Sequence, residues 1–144
     1  MTTETNKAIV HRYVEEGYNA CNMAAIDELF AADFVNHDPA QPAVRDLQTL
    51  KQLIMAQHAA FPDVRTTIED LVAVGDKVVK RFTVRGTHTG DFNGIPGTGN
   101  QFTLQGIDIL RLADGKIQEI WIGYDMLGLL QQLGVMPTPA EANA

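Results

Sequence analysis

The sequence predicts an α+β fold with one antiparallel sheet, and three observations lead there. Apolar residues recur at helical spacing as far as Phe61, the period falls to two from Val64, and Asp114-Gly115 divides the last alternating stretch as a hairpin turn would. Helical segments followed by a run of hairpin-linked strands form the pattern of an α+β domain, in which the helices cover the apolar face of the sheet.

Ile9, Val10, Tyr13, Val14 and Tyr18 mark a first helix between Thr5 and Ala20, with acidic and basic residues at the remaining positions. Asn22 is placed to cap a second, short helix carrying Ile26, Leu29 and Phe30. Phe34-Val35-Asn36-His37 reads as a short strand stopped by Pro39 and Pro42. Leu47, Leu50, Leu53, Ile54 and Phe61 mark a third helix, ended by Pro62. Val64, Thr66 and Ile68 then alternate with Arg65, Thr67 and Glu69. Gly75-Asp76 turns the chain into a strand from Lys77 to His88, with Val78, Phe82 and Val84 on one face. Residues 89–100 contain Gly90, Gly94, Pro96, Gly97 and Gly99 and form a loop. Gln101 to Leu112 and Lys116 to Tyr124 are the two strands of the Asp114-Gly115 hairpin. Asp125 caps a last helix, Met126 to Leu133, which Gly134 ends. The tail 137–144 has little to pack against and is expected to be loose.

The chain has 144 residues, enough for a single domain 1–144 with one core. Its 45% hydrophobic and 20% charged residues are those of a globular protein. The net charge of −7 disfavours DNA or RNA as a partner, since phosphate contacts need a basic stripe. The nearest thing to one is Lys77, Lys80, Arg81 and Arg85, and Lys77, Arg81 and Arg85 share the parity of a solvated sheet face. Cys21 is the single cysteine, so neither an intrachain disulfide nor a thiolate metal cluster can form. The first seven residues lack the basic and apolar segments of a signal peptide, and no apolar run is long enough to span a membrane. A soluble cytoplasmic protein is the expectation.

Several short stretches carry more. Asn36-His37-Asp38-Pro39, Phe61-Pro62-Asp63 and Gly86-Thr87-His88-Thr89-Gly90 come first; Gly94-Ile95-Pro96-Gly97-Thr98-Gly99 and Arg111-Leu112-Ala113-Asp114-Gly115-Lys116-Ile117 follow, and then Asp125 through Gln131-Gln132-Leu133-Gly134. In order and spacing these resemble the SnoaL-like polyketide cyclases and their ester-cyclase relatives, within the NTF2-like superfamily, nearly end to end. The resemblance implies a conical fold, with a strongly curved sheet wrapped around helices and a deep pocket inside, and a homodimer built sheet against sheet. It also implies ring closure of an aromatic polyketide ester by intramolecular aldol condensation, with no cofactor and no metal. Relatives on the same cone act as isomerases, dehydratases, epoxide hydrolases, hydroxylases or binding modules, so fold alone does not fix function.

An aldol closure needs a base to take a proton beside one carbonyl and an acid to protonate the other, and one carboxyl with a raised pKa can do either. The cyclases that this chain resembles carry such an Asp on the last strand, where this sequence has Ile122. Asp108 is the candidate replacement. It lies among Ile107, Ile109 and Leu110 in mid-strand, where a carboxylate is costly unless paired or facing a polar cavity, and the cyclases tend to have a histidine at the matching place. With a two-residue turn at Asp114-Gly115, paired positions sum to 229 and Asp108 lies opposite Trp121, whose ring would desolvate it. The alternative is a structural aspartate bonded to a neighbour.

His37 and His88 are the candidate proton-transfer partners. His37 could instead orient the Pro39 loop, and His88, on the inward parity of its strand, could instead hold the glycine-rich loop. His11 and His58 are assigned to surface or packing. Trp121 is a candidate pocket wall or simple core, and Phe61, Tyr124 and Phe92 are weaker substrate-binding candidates. Residues 90–99 lack the features of a phosphate loop and read as a lid or a long hairpin loop. No His-x-His or His-Glu-x-x-His spacing occurs, which leaves a triad of His37, His88 and Asp108 as the one conceivable metal set.

These residues favour a cofactor-independent acid/base enzyme of the cyclase, isomerase or hydratase type, acting on a small apolar carbonyl or ester compound. The alternatives are a non-catalytic small-molecule binding module, which Ile122 supports, and a dimeric protein-interaction module.

Overall fold

The computed structural model describes residues 2–142, so the last two residues of the tail expected to be loose lie outside it. In chain order the elements are α1 (Thr3–Arg12), running on as a π-helical segment (Tyr13–Asn19), α2 (Met23–Leu29), β1 (Phe30–His37), α3 (Leu47–Ala60), β2 (Arg65–Val74), β3 (Lys77–Thr87), β4 (Gln101–Ala113), β5 (Lys116–Tyr124), α4 (Met126–Leu133) and a last turn, α5 (Pro139–Ala142).

Side chains at the helix ends set these boundaries by accepting the unpaired N–H groups of the first turn. Asn22 accepts from Ala24 and Ala25, and Asp125 accepts from Gly128. Asp46 and Thr49 form a reciprocal capping box at the start of α3. Gly134 ends α4 at φ 84°, a left-handed conformation that costs glycine nothing. Ahead of α2, Gly17 faces Ile26: a Cβ there would lie 2.5 Å from Ile26 Cδ1, so a larger residue would require the end of the Ile26 side chain to move. One boundary moves. The Ile26–Phe30 spacing puts Phe30 on the helix when read from sequence, yet α2 stops at Leu29 and Phe30 opens β1, its ring edge-on to Tyr13 and Phe34.

The curved sheet has the order β1-β5-β4-β3-β2. The last four strands pair antiparallel as expected, whereas β1 joins β5 in parallel, so the sheet is mixed at one edge. No hairpin turn joins β1 to β5, and alternation by itself carries no strand direction.

Two bulges shift the face that each residue presents. Between Ile68 and Asp70 the partner of β2 moves by one, which turns Leu71 and Ala73 toward the core and leaves Val72 and Val74 exposed. Between Arg111 and Leu112 the β4–β5 register changes in the same way.

Helices α1 to α3 cover the inner face of the sheet around Val10, Ile26, Phe30, Ile54, Leu110 and Ile117. A second apolar group, with Phe61, Phe92, Phe102, Leu129 and Leu133, gathers under α4. The loop after β3 is tied at its base, His88 N–H donating to the Asn100 carbonyl at 2.9 Å and Gly99 N–H to the His88 carbonyl at 2.8 Å. Thr89 and Gly90 both donate to the Ala60 carbonyl at the end of α3. In the tail, Gln131 donates to the Pro137 carbonyl at 3.1 Å.

Candidate functional site

Between the inner sheet face and the helices lies a cavity of about 140 Å³. Its position follows from the even parity of β3 and β4. Val78, Lys80, Phe82 and Val84 share the inward side of β3, and Lys80 is the direct partner of Asp108 on β4. Lys80 Nζ lies 3.2 Å from Asp108 Oδ2, and the two side chains are 5% and 3% exposed. Both line the cavity. Asp108 Oδ1 is buried and accepts no hydrogen bond.

Burial pushes the Asp108 carboxyl above the usual carboxylate range, and the Lys80 ammonium opposes that without cancelling it. The ammonium also sits 5.0 Å from the ring centre of Tyr13 and 5.1 Å from that of Phe82, whose faces are the attractive ones for a cation. Tyr13 comes from the π-helical segment. Its phenol is held above its usual range by burial first and by the Asp108 charge second.

Two further polar pairs face the same space. Tyr124 OH donates to Asp38 Oδ2 at 3.0 Å, with burial and the Asp38 charge raising the phenol's pKa. Tyr18 OH donates to Gln57 Oε1 at 2.6 Å. Phe61 and Phe92 lie on the apolar wall. Ile122 is there too, as the β5 partner of Asp108.

The expected opposition of Asp108 and Trp121 is corrected. Near the turn the pairs sum to 229, but the bulge opposite Arg111 and Leu112 adds one residue on β5, so Trp121 pairs with Ile109 and Ile122 with Asp108. Trp121 therefore points to the outer face. His37 does too: in the parallel register it pairs with Trp121, stacks on its ring at 5.0 Å and 9°, and bonds Glu119 Oε2 through Nε2 at 2.7 Å. Arg111 donates to the other Glu119 oxygen at 2.9 Å. His37 and Arg111 together hold the Glu119 carboxyl below its usual range.

His88 is inward and fully buried, but behind the aromatic wall rather than in the cavity. Its Nδ1 lies 3.1 Å from Thr98 Oγ1, and Phe61 and Phe92 meet its ring edge-on. His37, His88 and Asp108 thus lie in three separate places. Among the described residues no group of three His, Cys, Asp or Glu side chains is arranged to hold a metal. His58 bonds the Tyr18 carbonyl, and His11 is exposed.

Sequence reasoning passed over Lys80 and Tyr13. Lys80 had a signal, since it shares parity with Val78, Phe82 and Val84, and an inward lysine needs a partner. Tyr13 had none, because helical periodicity treats it as ordinary core.

The model of the SnoaL-like polyketide cyclase family matches residues 8–133. The chain is 28% identical over 136 residues to the aklanonic acid methyl ester cyclase DnrD of Streptomyces peucetius, covering 91% of this chain and 92% of that one. Among solved structures, TsrD from Streptomyces laurentii superposes with a TM-score of 0.84 at 28% identity, covering 94% of this chain and 99% of TsrD. IdmH from Streptomyces antibioticus gives 0.78 at 33% identity, over 90% of this chain and 99% of IdmH.

Proposed function

The chain belongs to the SnoaL-like polyketide cyclase family, and we propose that it closes a ring in an apolar carbonyl or ester compound by cofactor-independent acid/base catalysis, with Asp108 as the acid/base group. The observation that carries this reading is a carboxylate on the cavity wall with one oxygen on Lys80 and the other without a hydrogen bond. In the proposed sequence Asp108 removes a proton beside a carbonyl, and the charge that develops on the enolate oxygen is stabilised by the Lys80 ammonium. The enolate carbon then bonds to a second carbonyl carbon, and the resulting alkoxide takes the proton back from Asp108.

Ile122, at the family's acid/base position by resemblance, does not contradict this. Asp108 and Ile122 are paired neighbours, so the carboxyl reaches the same wall from the adjacent strand. The test is turnover of aklanonic acid methyl ester, the compound named for a relative, or of a related aromatic ester. Asp108→Asn is expected to lose about 10²–10⁴-fold in kcat with an unchanged circular dichroism spectrum. Full activity in that variant overturns the reading.

A second reading, a binding module without turnover, is favoured by Ile122 itself; it predicts ligand binding with no product from either protein. A homodimer through the outer sheet face is supported by the exposed Val79, Ile107 and Ile109 on that side. Among the described residues no helix is long and apolar enough to cross a membrane.

A further inference from the structure

We propose that Lys80 is also a nucleophilic amine that captures carbonyl compounds covalently, as an imine or, with 1,3-diketones, as an enaminone. Four of the five lysines are ordinary. Lys7, Lys51 and Lys77 pair with acidic residues and have side chains 34%, 19% and 50% exposed, and Lys116 bonds the exposed Glu28 carbonyl. Lys80 alone, at 5%, is held inside an apolar cavity with a carboxyl 3.2 Å away and aromatic rings on two sides. Nothing in that setting is needed for folding that a well-packed apolar pair could not supply, because burying two charges costs about as much as their attraction returns. Burial and an adjacent proton acceptor in that setting suit an amine nucleophile, and they work against the carboxylate charge and ring faces that favour the ammonium.

The chemistry balances within the pair. A proton passes from Lys80 Nζ to Asp108 Oδ2, leaving an amine and a carboxylic acid. The nitrogen lone pair forms a bond to the carbonyl carbon, the carbonyl π bond breaks onto oxygen, and Asp108 protonates that oxygen to give a carbinolamine. The nitrogen then forms the C=N bond, and the C–O bond breaks. The oxygen leaves as water, carrying the second proton lost from nitrogen. From a 1,3-diketone the product relaxes to the conjugated enaminone, which absorbs in the near ultraviolet. No oxidant or reductant is involved.

The probe is pentane-2,4-dione at neutral pH, added in limiting amount so that the fastest-reacting amine is labelled first. The expected result is one adduct per chain, the mass of the diketone less one water, mapped to Lys80 by peptide analysis, with the enaminone band growing in parallel. Lys80→Arg keeps the cation beside Asp108 but has no primary amine, and should stay folded and form no adduct. Lys77→Met should label like the wild type. No adduct on the wild type, or adducts spread over Lys7, Lys51, Lys77 and Lys116, overturns the proposal. This readout needs no turnover and is taken on the wild type: wild-type labelling together with full activity in Asp108→Asn sinks the acid/base reading alone, and lost activity in Asp108→Asn with an unlabelled wild type sinks the nucleophile alone.

Discussion

On the inner face of β3 and β4, Lys80 and Asp108 form an ion pair that is 5% and 3% exposed. On the outer face of β4 and β5, Arg111 pairs with Glu119, whose other oxygen bonds His37, with side chains 35%, 21% and 40% exposed. The residue types and distances are similar, and the surroundings decide what each group can do. Outside, water shares the charges and Glu119 has both oxygens satisfied, so its carboxyl is held low and chemically quiet. Inside, desolvation outweighs the one cation, and Asp108 is held high with an oxygen to spare. A carboxyl is useful for moving protons when its charged and neutral forms are close in free energy, and only the inner one is placed for that.

The largest effect should come from breaking the inner pair on one side. Lys80→Met leaves the buried carboxylate alone and is expected to cost about 3–5 kcal/mol of stability, measured by urea unfolding. Protonation of Asp108 offers a partial escape, so the loss should shrink as the pH falls. Replacing both, Lys80→Met with Asp108→Leu, should recover most of that cost, since a paired apolar substitution removes both desolvation penalties. A double variant no better than the single one would mean that the pair is not the coupled unit the geometry describes.

How much of this was legible in the sequence depends on the register of one strand. The four antiparallel strands, the capped helices and Asp108 as a buried carboxyl follow from alternation, turn residues and the cost of charge in an apolar strand. The placement of Trp121 does not, because a single bulge past the turn exchanges the faces of Trp121 and Ile122, and bulges leave no mark in apolar alternation. The same slip gave Asp108 an aromatic neighbour in place of an aliphatic one. His37 was misplaced for a related reason: β1 pairs with β5 in parallel, a contact set by tertiary packing with no turn to announce it. Lys80 was legible from its parity, opposite to that of Lys77, Arg81 and Arg85, and was missed because it was weighed only as part of a weak basic cluster.

The two carboxyls should also respond to pH with opposite sign. Glu119 has a folded pKa below its unfolded one, so its contribution is present above the unfolded value and is lost as the pH falls through the folded one. Asp108 has a folded pKa above its unfolded one. The folded state therefore binds that proton more tightly, and stability is lost as the pH rises from the unfolded value through the folded one. Against the wild type, Glu119→Gln should be relatively less stable at neutral pH and converge with it in acid. Asp108→Asn leaves the buried Lys80 ammonium unpaired and should be less stable than the wild type throughout, with a deficit smallest at neutral pH and larger in acid. Melting temperatures of the three proteins across the acid range check both; parallel curves would show that the inner carboxyl is no more perturbed than the outer one.

The smallest effect belongs to His37, and its smallness sharpens the contrast most. Sequence alone makes His37 a proton-transfer candidate, but its ring is stacked on Trp121 on the outer face and its Nε2 is engaged with Glu119. A proton on that ring has no path to the cavity except through the sheet. His37→Ala should leave kcat, KM and the pH profile of turnover unchanged, while Glu119 loses the hydrogen bond that does most to lower its pKa and titrates closer to its usual value. Turnover by the wild type and the variant across the pH range, with the Glu119 carboxyl followed by NMR, separates the two faces directly. A fall in kcat with the Glu119 titration unmoved would mean that His37 reaches the reacting atoms, and that the division into a chemical inner face and a quiet outer face is drawn in the wrong place.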